Sequence, residues 1–235
     1  QLLIDAKANV NKQVYMGNTA LIMACKNGHG ECTRLLLQAK AEVDARNLMN
    51  STALMGAAIG GYTDCVEVML AAKATIEAKD TTGANPLLMA TESGSPTAVK
   101  VLLNAKANIH AKDNDHRTAL MIAAYHGRTA CAQLLIDAKA DLEQKSRQDG
   151  VNALMTAVTA LFGRTECVET LLNAKANLEA EEKQGKTALI LAADRSDITC
   201  VQRLIDAKAG FDPASKHGKS ILAEVRREHK YELRR

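Results

Sequence analysis

Apolar residues recur along the chain with a period of about 33 residues. The tripeptide Ala-Lys-Ala recurs with the same period. Its lysine stands at positions 7, 40, 73, 106, 139, 175 and 208, with one longer interval of 36 residues. A leucine series falls at 21, 54, 87, 120, 154, 189 and 222. A further series reads Cys32, Cys65, Ala98, Cys131, Cys167 and Cys200. Because the three series share one register, the chain is a repeat array.

Each period predicts two short helices. In one repeat, Thr118 is a natural N-cap, and Leu120 and Ala123 begin an apolar stripe on the helix that follows it. Gly127 ends that helix, and a second apolar stripe begins at Cys131. The equivalent capping positions hold Thr19, Thr52, Asn85, Asn152, Thr187 and Ser220. Helices with such narrow stripes cannot bury them alone, so neighbouring repeats must stack.

The segments 187–193 (TALILAA) and 135–140 (LIDAKA), with the glycine break at Gly127, resemble the ankyrin repeat over essentially the whole chain. The resemblance implies an all-α solenoid of stacked helix-turn-helix repeats joined by β-hairpin-like loops. We expect one domain, residues 1–235, and because Gln1 falls inside a second helix we expect it to be part of a longer chain. The expected boundaries are a partial repeat at 1–13, full repeats at 14–46, 47–79, 80–112, 113–145, 146–181 and 182–212, and a capping repeat at 213–235.

The sequence departs from the family pattern at two places. The family motif Thr-Pro-Leu-His keeps its proline only at Pro86. The family also favours glycine where the seven lysines of the Ala-Lys-Ala series stand, because the second helix ends there in a left-handed conformation. A lysine in that conformation would cost about 1 kcal/mol. We therefore predict that the turn is closed in a slightly different way in this protein.

Charge gives little information on partners. The net charge is +3, and residues 214–235 carry seven Lys or Arg against three Glu, so the rest of the chain sums to −1 (23 basic against 24 acidic). General affinity for nucleic acid is not implied. The lysine series could form a row of positive charges that binds acidic or phosphorylated partners. We favour a solvated edge, because acidic residues follow four positions after five of the lysines, at Asp44, Glu77, Glu143, Glu179 and Asp212.

The six cysteines include no CxxC pair, and five of them stand at equivalent positions of successive repeats. Stacked helices lie roughly 8–10 Å apart, which is too far for a disulfide. We therefore predict buried, free thiols and an intracellular protein, cytoplasmic with a nuclear location also compatible. No run of 18 apolar residues and no secretory signal is present, so no membrane contact is predicted.

Signatures of enzymes fail on inspection. The triplets at 185–187 and 218–220 resemble the end of a phosphate-binding loop, but Ala180 and Pro213 stand where its first glycine is required. No HExxH or GxSxG motif occurs. His110, Asp113, Asp115 and His116 could hold a metal ion, although polar hairpins of this composition are common. We predict no enzyme activity, no catalytic residue, no cofactor and no metal.

The resemblance implies that hairpin tips and the exposed side of each first helix line a concave, partner-binding groove. The positions that match it here are Tyr15, Met16, Leu48, Met49, Ile59, Asn114, Asp115, Arg117, Tyr125, His126, Val151, Leu161, Phe162, Lys183, Lys186 and Arg195. The predicted function is a protein-interaction scaffold that presents this groove to a protein partner. Two alternatives are a targeting or regulatory arm of a larger enzyme or channel, and a reader of acidic ligands along the lysine series.

Overall fold

Twelve short α-helices make up most of this computed structural model, which describes residues 9–160 and 165–210 together with Pro213, Gly218 and Lys219. Those residues form no β-strand, which confirms the all-α prediction. Residues 1–114 and 115–235 form two compact units. The first unit holds α1 (Ala20–Lys26), α2 (Gly30–Gln38), α3 (Ala53–Ile59), α4 (Thr63–Ala71), α5 (Pro86–Ser93) and α6 (Pro96–Asn104). The second holds α7 (Ala119–His126), α8 (Thr129–Asp137), α9 (Ala153–Thr159), α10 (Thr165–Asn173), α11 (Ala188–Asp194) and α12 (Ile198–Asp206).

The helices stack in two layers within each unit. In the first unit α3 packs between α1 and α5, and α4 packs between α2 and α6. In the second unit α9 packs between α7 and α11, and α10 packs between α8 and α12. The leucine series forms the buried layer that joins the first helices, with at most 1% of Leu21, Leu54, Leu87, Leu120, Leu154 and Leu189 exposed. This confirms the register that the sequence period predicts, while Leu222 lies outside the described residues.

The first helices begin at the predicted caps. The side chains of Thr19, Thr52, Asn85, Thr118 and Asn152 each accept a hydrogen bond from the amide three residues later. Thr187 stands at the equivalent position but makes no such bond, and its buried hydroxyl oxygen has no hydrogen-bond partner among the described residues. Ser220, the remaining predicted cap, lies outside the described part of the chain.

The second helices end in a left-handed turn, and the prediction of a different closure was wrong. The φ angles of Lys40, Lys73, Lys106, Lys139, Lys175 and Lys208 lie between 61° and 69°. The turn is fixed by hydrogen bonds: Lys40 N donates to Leu37 O at 3.0 Å, and Ala41 N donates to Leu36 O at 2.9 Å. Ala41 is also buried. Because these contacts require the conformation, lysine adopts it in place of glycine.

The cysteine series is buried except at its first member. Cys65, Ala98, Cys131, Cys167 and Cys200 are at most 2% exposed, whereas Cys32 is exposed, against the prediction. Two buried members contact the preceding repeat: the sulfur of Cys65 lies 3.9 Å from the hydroxyl oxygen of Thr33, and that of Cys167 lies 3.4 Å from the hydroxyl oxygen of Thr129. For Cys32 the preceding repeat is the partial one at 1–13, and residues 1–8 of it lie outside the described residues. Burial at this position therefore depends on the neighbouring repeat, which a pattern within one repeat does not report.

Carboxylates and hairpin tips join neighbouring repeats. Glu77 accepts from Asn108 N at 2.7 Å, and Glu179 accepts from Gly210 N at 2.7 Å. Asp44 and Glu143 make the equivalent bonds to the amides of Thr75 and Asn177. These carboxylates were expected to balance the lysine series, but they bond to the backbone of the next repeat. The hairpin tips are also joined by backbone bonds, among them Leu48 N to Met16 O at 3.0 Å.

Candidate partner-binding surface

Exposed apolar side chains are concentrated at the start of the first unit. Of the nine large apolar side chains that are exposed in the described residues, eight lie between positions 14 and 62. All five residues predicted for this part of the groove are among them: Tyr15, Met16, Leu48, Met49 and Ile59. Tyr15 is 85% exposed and Leu48 is 72% exposed. We call this set, with the three residues added below, the apolar surface.

The hairpin tips hold the apolar surface in place. Tyr15–Gly17 forms a single 3-10 turn in which Met16 has a φ of 60°, and the backbone bond from Leu48 N to Met16 O fixes the next tip beside it. Tyr15, Met16 and Met49 line a pocket of about 300 Å³ with Met23 of α1. Lys26 is the charged side chain of that pocket. The backbone therefore presents these side chains to solvent in a fixed arrangement.

Sequence reasoning missed three members of the apolar surface, namely Val14, Met23 and Tyr62. Met23 lies on the exposed side of α1, which the helical period could have shown. Tyr62 precedes α4, and its ring occupies the space that a Cβ would fill at Gly28 or Gly60. The sequence signal for the position of Tyr62 was the pair Gly28 and Gly60. That pair indicates space for a ring only when the two repeats are known to stack.

The second unit contains a pocket of about 250 Å³ between the tips around residues 115 and 149 and the helices α7 and α9. Five predicted residues line it: Asp115, Arg117, Tyr125, His126 and Val151. Tyr125 is 50% exposed, and its ring meets the ring of His126 edge-on at 5.0 Å. The structure thus brings together a set that the sequence could only assign position by position. We call it the second-unit pocket.

Three polar groups of the second-unit pocket, those of Thr156, Thr159 and Asp149, offer hydrogen-bond acceptors. The hydroxyls of Thr156 and Thr159 donate their protons to the carbonyls of Asn152 and Met155, at 2.7 and 2.8 Å. Asp149 also lines the pocket and is exposed. Neither the two threonines nor Asp149 was predicted for the groove, because the direction of a hydroxyl proton depends on a rotamer that the sequence does not specify.

The remaining predicted residues are dispersed. Lys183 donates to Arg147 O at 2.7 Å, and Lys186 contacts Asp194 at 2.7 Å, which raises the pKa of Lys186 through a hydrogen bond to its charged form. Arg195 is exposed at the end of α11. The side-chain amide of Asn114 donates to Thr81 O at 3.1 Å. Leu161 and Phe162 lie outside the described residues.

The buried thiols have the character of core residues. Desolvation raises the pKa of Cys25 and of Cys200 to about 12 and the pKa of Cys131 to about 11. These thiols stay protonated at neutral pH, and a protonated thiol is a poor nucleophile. Among the described residues, no group of three or more His, Cys, Asp or Glu is arranged to hold a metal ion.

Comparison with known proteins establishes the class. The family model for ankyrin repeats, three copies long, matches residues 1–80, 72–146 and 143–217. The chain is therefore a member of the ankyrin-repeat family. It is similar to the solved ankyrin repeat domain of human ASB11, with a TM-score of 0.74, 25% sequence identity, and coverage of 95% of this chain and 90% of that one. No curated protein matches the chain significantly. Ankyrin repeats generally act as protein-protein interaction modules.

The twelve helices of the described residues span seven to nine residues each. None of them is long and apolar enough to cross a bilayer.

Proposed function

We propose that this chain is a non-catalytic scaffold that binds a protein partner through the apolar surface of its first unit. The observation that carries the proposal is the concentration of eight exposed apolar side chains between positions 14 and 62, five of them on two hairpin tips that a backbone bond joins. Contiguous exposed apolar residues are characteristic of interaction sites. Tyrosine is also among the residue types that dominate interface energetics.

The fixed position of the tips supports this function. Side chains presented by a preformed backbone lose little conformational freedom on binding, so more of the burial energy appears as affinity. Complete burial of a side chain such as Leu48 contributes roughly 1.5–3 kcal/mol. Leu48 is 72% exposed before binding, so most of this contribution is available to a partner.

Selection from a random peptide library on the wild-type protein tests the proposal. The enriched peptides are then measured by fluorescence anisotropy against wild type, Leu48→Asp and Thr81→Asp. Thr81 is the matched control, because it is exposed and occupies the equivalent position on the next hairpin tip. We expect Leu48→Asp to weaken binding about 30-fold, the equivalent of about 2 kcal/mol, and Thr81→Asp to change it little. Enriched peptides that bind Leu48→Asp as tightly as wild type would contradict the proposal.

A second candidate function is favoured by the turn conformation of the lysine series. Six described lysines occupy a left-handed conformation that glycine adopts at lower cost, and all six are exposed. None of them has an ion-pair or hydrogen-bond partner for its ammonium group among the described residues. Six exposed ammonium groups at the same position of successive repeats favour a contact with an acidic polypeptide. Binding of poly-L-glutamate that is equally tight at about 50 and 200 mM salt would contradict it.

The buried thiols bear on the compartment. All six cysteines are free, and Cys25, Cys65, Cys131, Cys167 and Cys200 are buried in the protein. We propose on this basis that the scaffold acts in a reducing, intracellular environment, since unpaired cysteines persist where disulfides do not form.

A further inference from the structure

The second-unit pocket has a polar lining that suits one class of side chain. The hydroxyl oxygens of Thr156 and Thr159 offer only lone pairs to a ligand, because their protons are already donated to helix carbonyls at 2.7 and 2.8 Å. Asp149 contributes a carboxylate, whose oxygens accept hydrogen bonds. These acceptors favour a ligand that brings hydrogen-bond donors, positive charge, or both, while the side-chain amide of Gln148 in the same lining can either donate or accept.

The charges around the pocket favour a cation. Arg117 and His126 are the basic side chains of the lining, and the guanidinium of Arg117 lies 3.8 Å from the carboxylate of Asp115, which offsets its positive charge. Asp149 has no hydrogen-bond or ion-pair partner for its carboxylate among the described residues. An anion would meet an uncompensated carboxylate and two sets of lone pairs, whereas a cation would be attracted by all three.

The apolar walls suit the stem of a long basic side chain. Met121 and Ile122 of α7 and Val151 of the hairpin line the pocket, and Tyr125 presents a half-exposed ring at its edge. Lysine and arginine bury their methylene stems against apolar surface while the charged group stays hydrated or paired. A guanidinium or ammonium group also interacts favourably with the face of a tyrosine ring.

The size of the pocket also suits a single long side chain. Its volume of about 250 Å³ lies below the roughly 300–1,000 Å³ that is typical for small-molecule and cofactor sites. A space of this size accommodates one long side chain of a bound polypeptide. Resting on the function proposed above, we propose that the second-unit pocket recognises an arginine or lysine side chain of the protein partner.

Titration with capped tripeptides tests this inference without the natural partner. The probes are Ac-Ala-Arg-Ala-NH2, its norleucine analogue and its glutamate analogue, and the readout is the methyl NMR signal of Met121 in protein labelled at its methionine methyl groups. The methyl signals of Met23 and Met49, on the first unit, serve as an internal reference. We expect the arginine peptide to shift the Met121 signal saturably and to bind about threefold or more tightly than the norleucine peptide.

Two substitutions isolate the carboxylate. Asp149→Asn keeps the shape of the side chain and removes its charge, and we expect it to abolish the preference for arginine over norleucine. Glu181→Gln is the matched control, because Glu181 is an exposed carboxylate of the same unit outside the pocket lining. The inference is overturned if the arginine peptide leaves Met121 unshifted, if the glutamate peptide binds more tightly, or if Asp149→Asn leaves the preference intact.

Failure of this inference and failure of the proposed function give different results. If the selected peptides bind through Leu48 but the arginine peptide does not bind the second-unit pocket, the scaffold function is supported and the inference about the pocket is refuted. If the arginine preference depends on Asp149 while no selected peptide depends on Leu48, the pocket stands and the apolar surface is not the main contact.

Discussion

Replacement of lysine by glycine at the end of a second helix should stabilise the protein. Lys106 has a φ of 68°, and a left-handed conformation costs an L-residue about 1–2 kcal/mol that glycine avoids. Glycine also increases the conformational entropy of the unfolded chain, which offsets about 0.4–1 kcal/mol of the gain. We therefore expect Lys106→Gly to raise the free energy of unfolding by about 0.5–1 kcal/mol.

Lys100 provides the control, because it is exposed inside α6, where the backbone is helical. Glycine there should lower the free energy of unfolding by about 1 kcal/mol relative to alanine and somewhat less relative to lysine. Urea unfolding followed by circular dichroism measures both variants, and a combined Lys40→Gly, Lys73→Gly and Lys106→Gly variant should show a larger gain if the sites act independently. If Lys106→Gly lowers the free energy of unfolding as much as Lys100→Gly does, the left-handed conformation of Lys106 is refuted.

Three further predictions follow from contacts between repeats. Glu77→Ala removes the acceptor for Asn108 N and for the side-chain amide of Asn85, so the free energy of unfolding in urea should fall by about 1–3 kcal/mol. Ellman's reagent should react quickly with one thiol of the folded protein, that of Cys32, because the other five are buried and burial raises the pKa of Cys25, Cys131 and Cys200 above 9. Gly28→Ala should lower the melting temperature, since φ is 75° there and the new Cβ would overlap the ring of Tyr62.

Each of these has a matched control. Glu67→Ala removes an exposed carboxylate of α4 and should change the free energy of unfolding by no more than about 0.5 kcal/mol, and an equal loss in both variants would contradict the role given to Glu77. Cys32→Ser should abolish the fast thiol reaction, and its persistence would place another cysteine at the surface. A Cβ at Gly30 would meet no atom closer than 3.8 Å, so Gly30→Ala should be tolerated, whereas a similar loss at both glycines would rule out the contact with Tyr62.

The repeat period predicted the fold because it reflects burial directly. The leucine series and five of the helix caps are local features, and each is confirmed by the structure. The lysine turns were mispredicted because the cost at one residue was weighed without the hydrogen bonds and the buried alanine that follow it. Cys32 was mispredicted because its burial depends on the repeat before it.

The candidate site was predictable in part. Exposed tyrosine, leucine and methionine on hairpin tips stand out from the repeat pattern, so Tyr15 and Leu48 could be identified from the sequence. Lys183 and Lys186 were assigned to the groove by their positions in the repeat, yet both side chains are engaged within the second unit. The acceptor character of Thr156 and Thr159 arises from their rotamers and was not accessible from residue types alone.

Hydrogen-deuterium exchange on the complex with the tightest selected peptide tests the apolar surface most directly. The account predicts slower exchange at residues 14–18 and 47–50, where the tips carry Tyr15 and Leu48, and unchanged exchange in the turns at Lys40 and Lys73. Protection confined to the lysine turns, with the two tips exchanging as in the free protein, would contradict it.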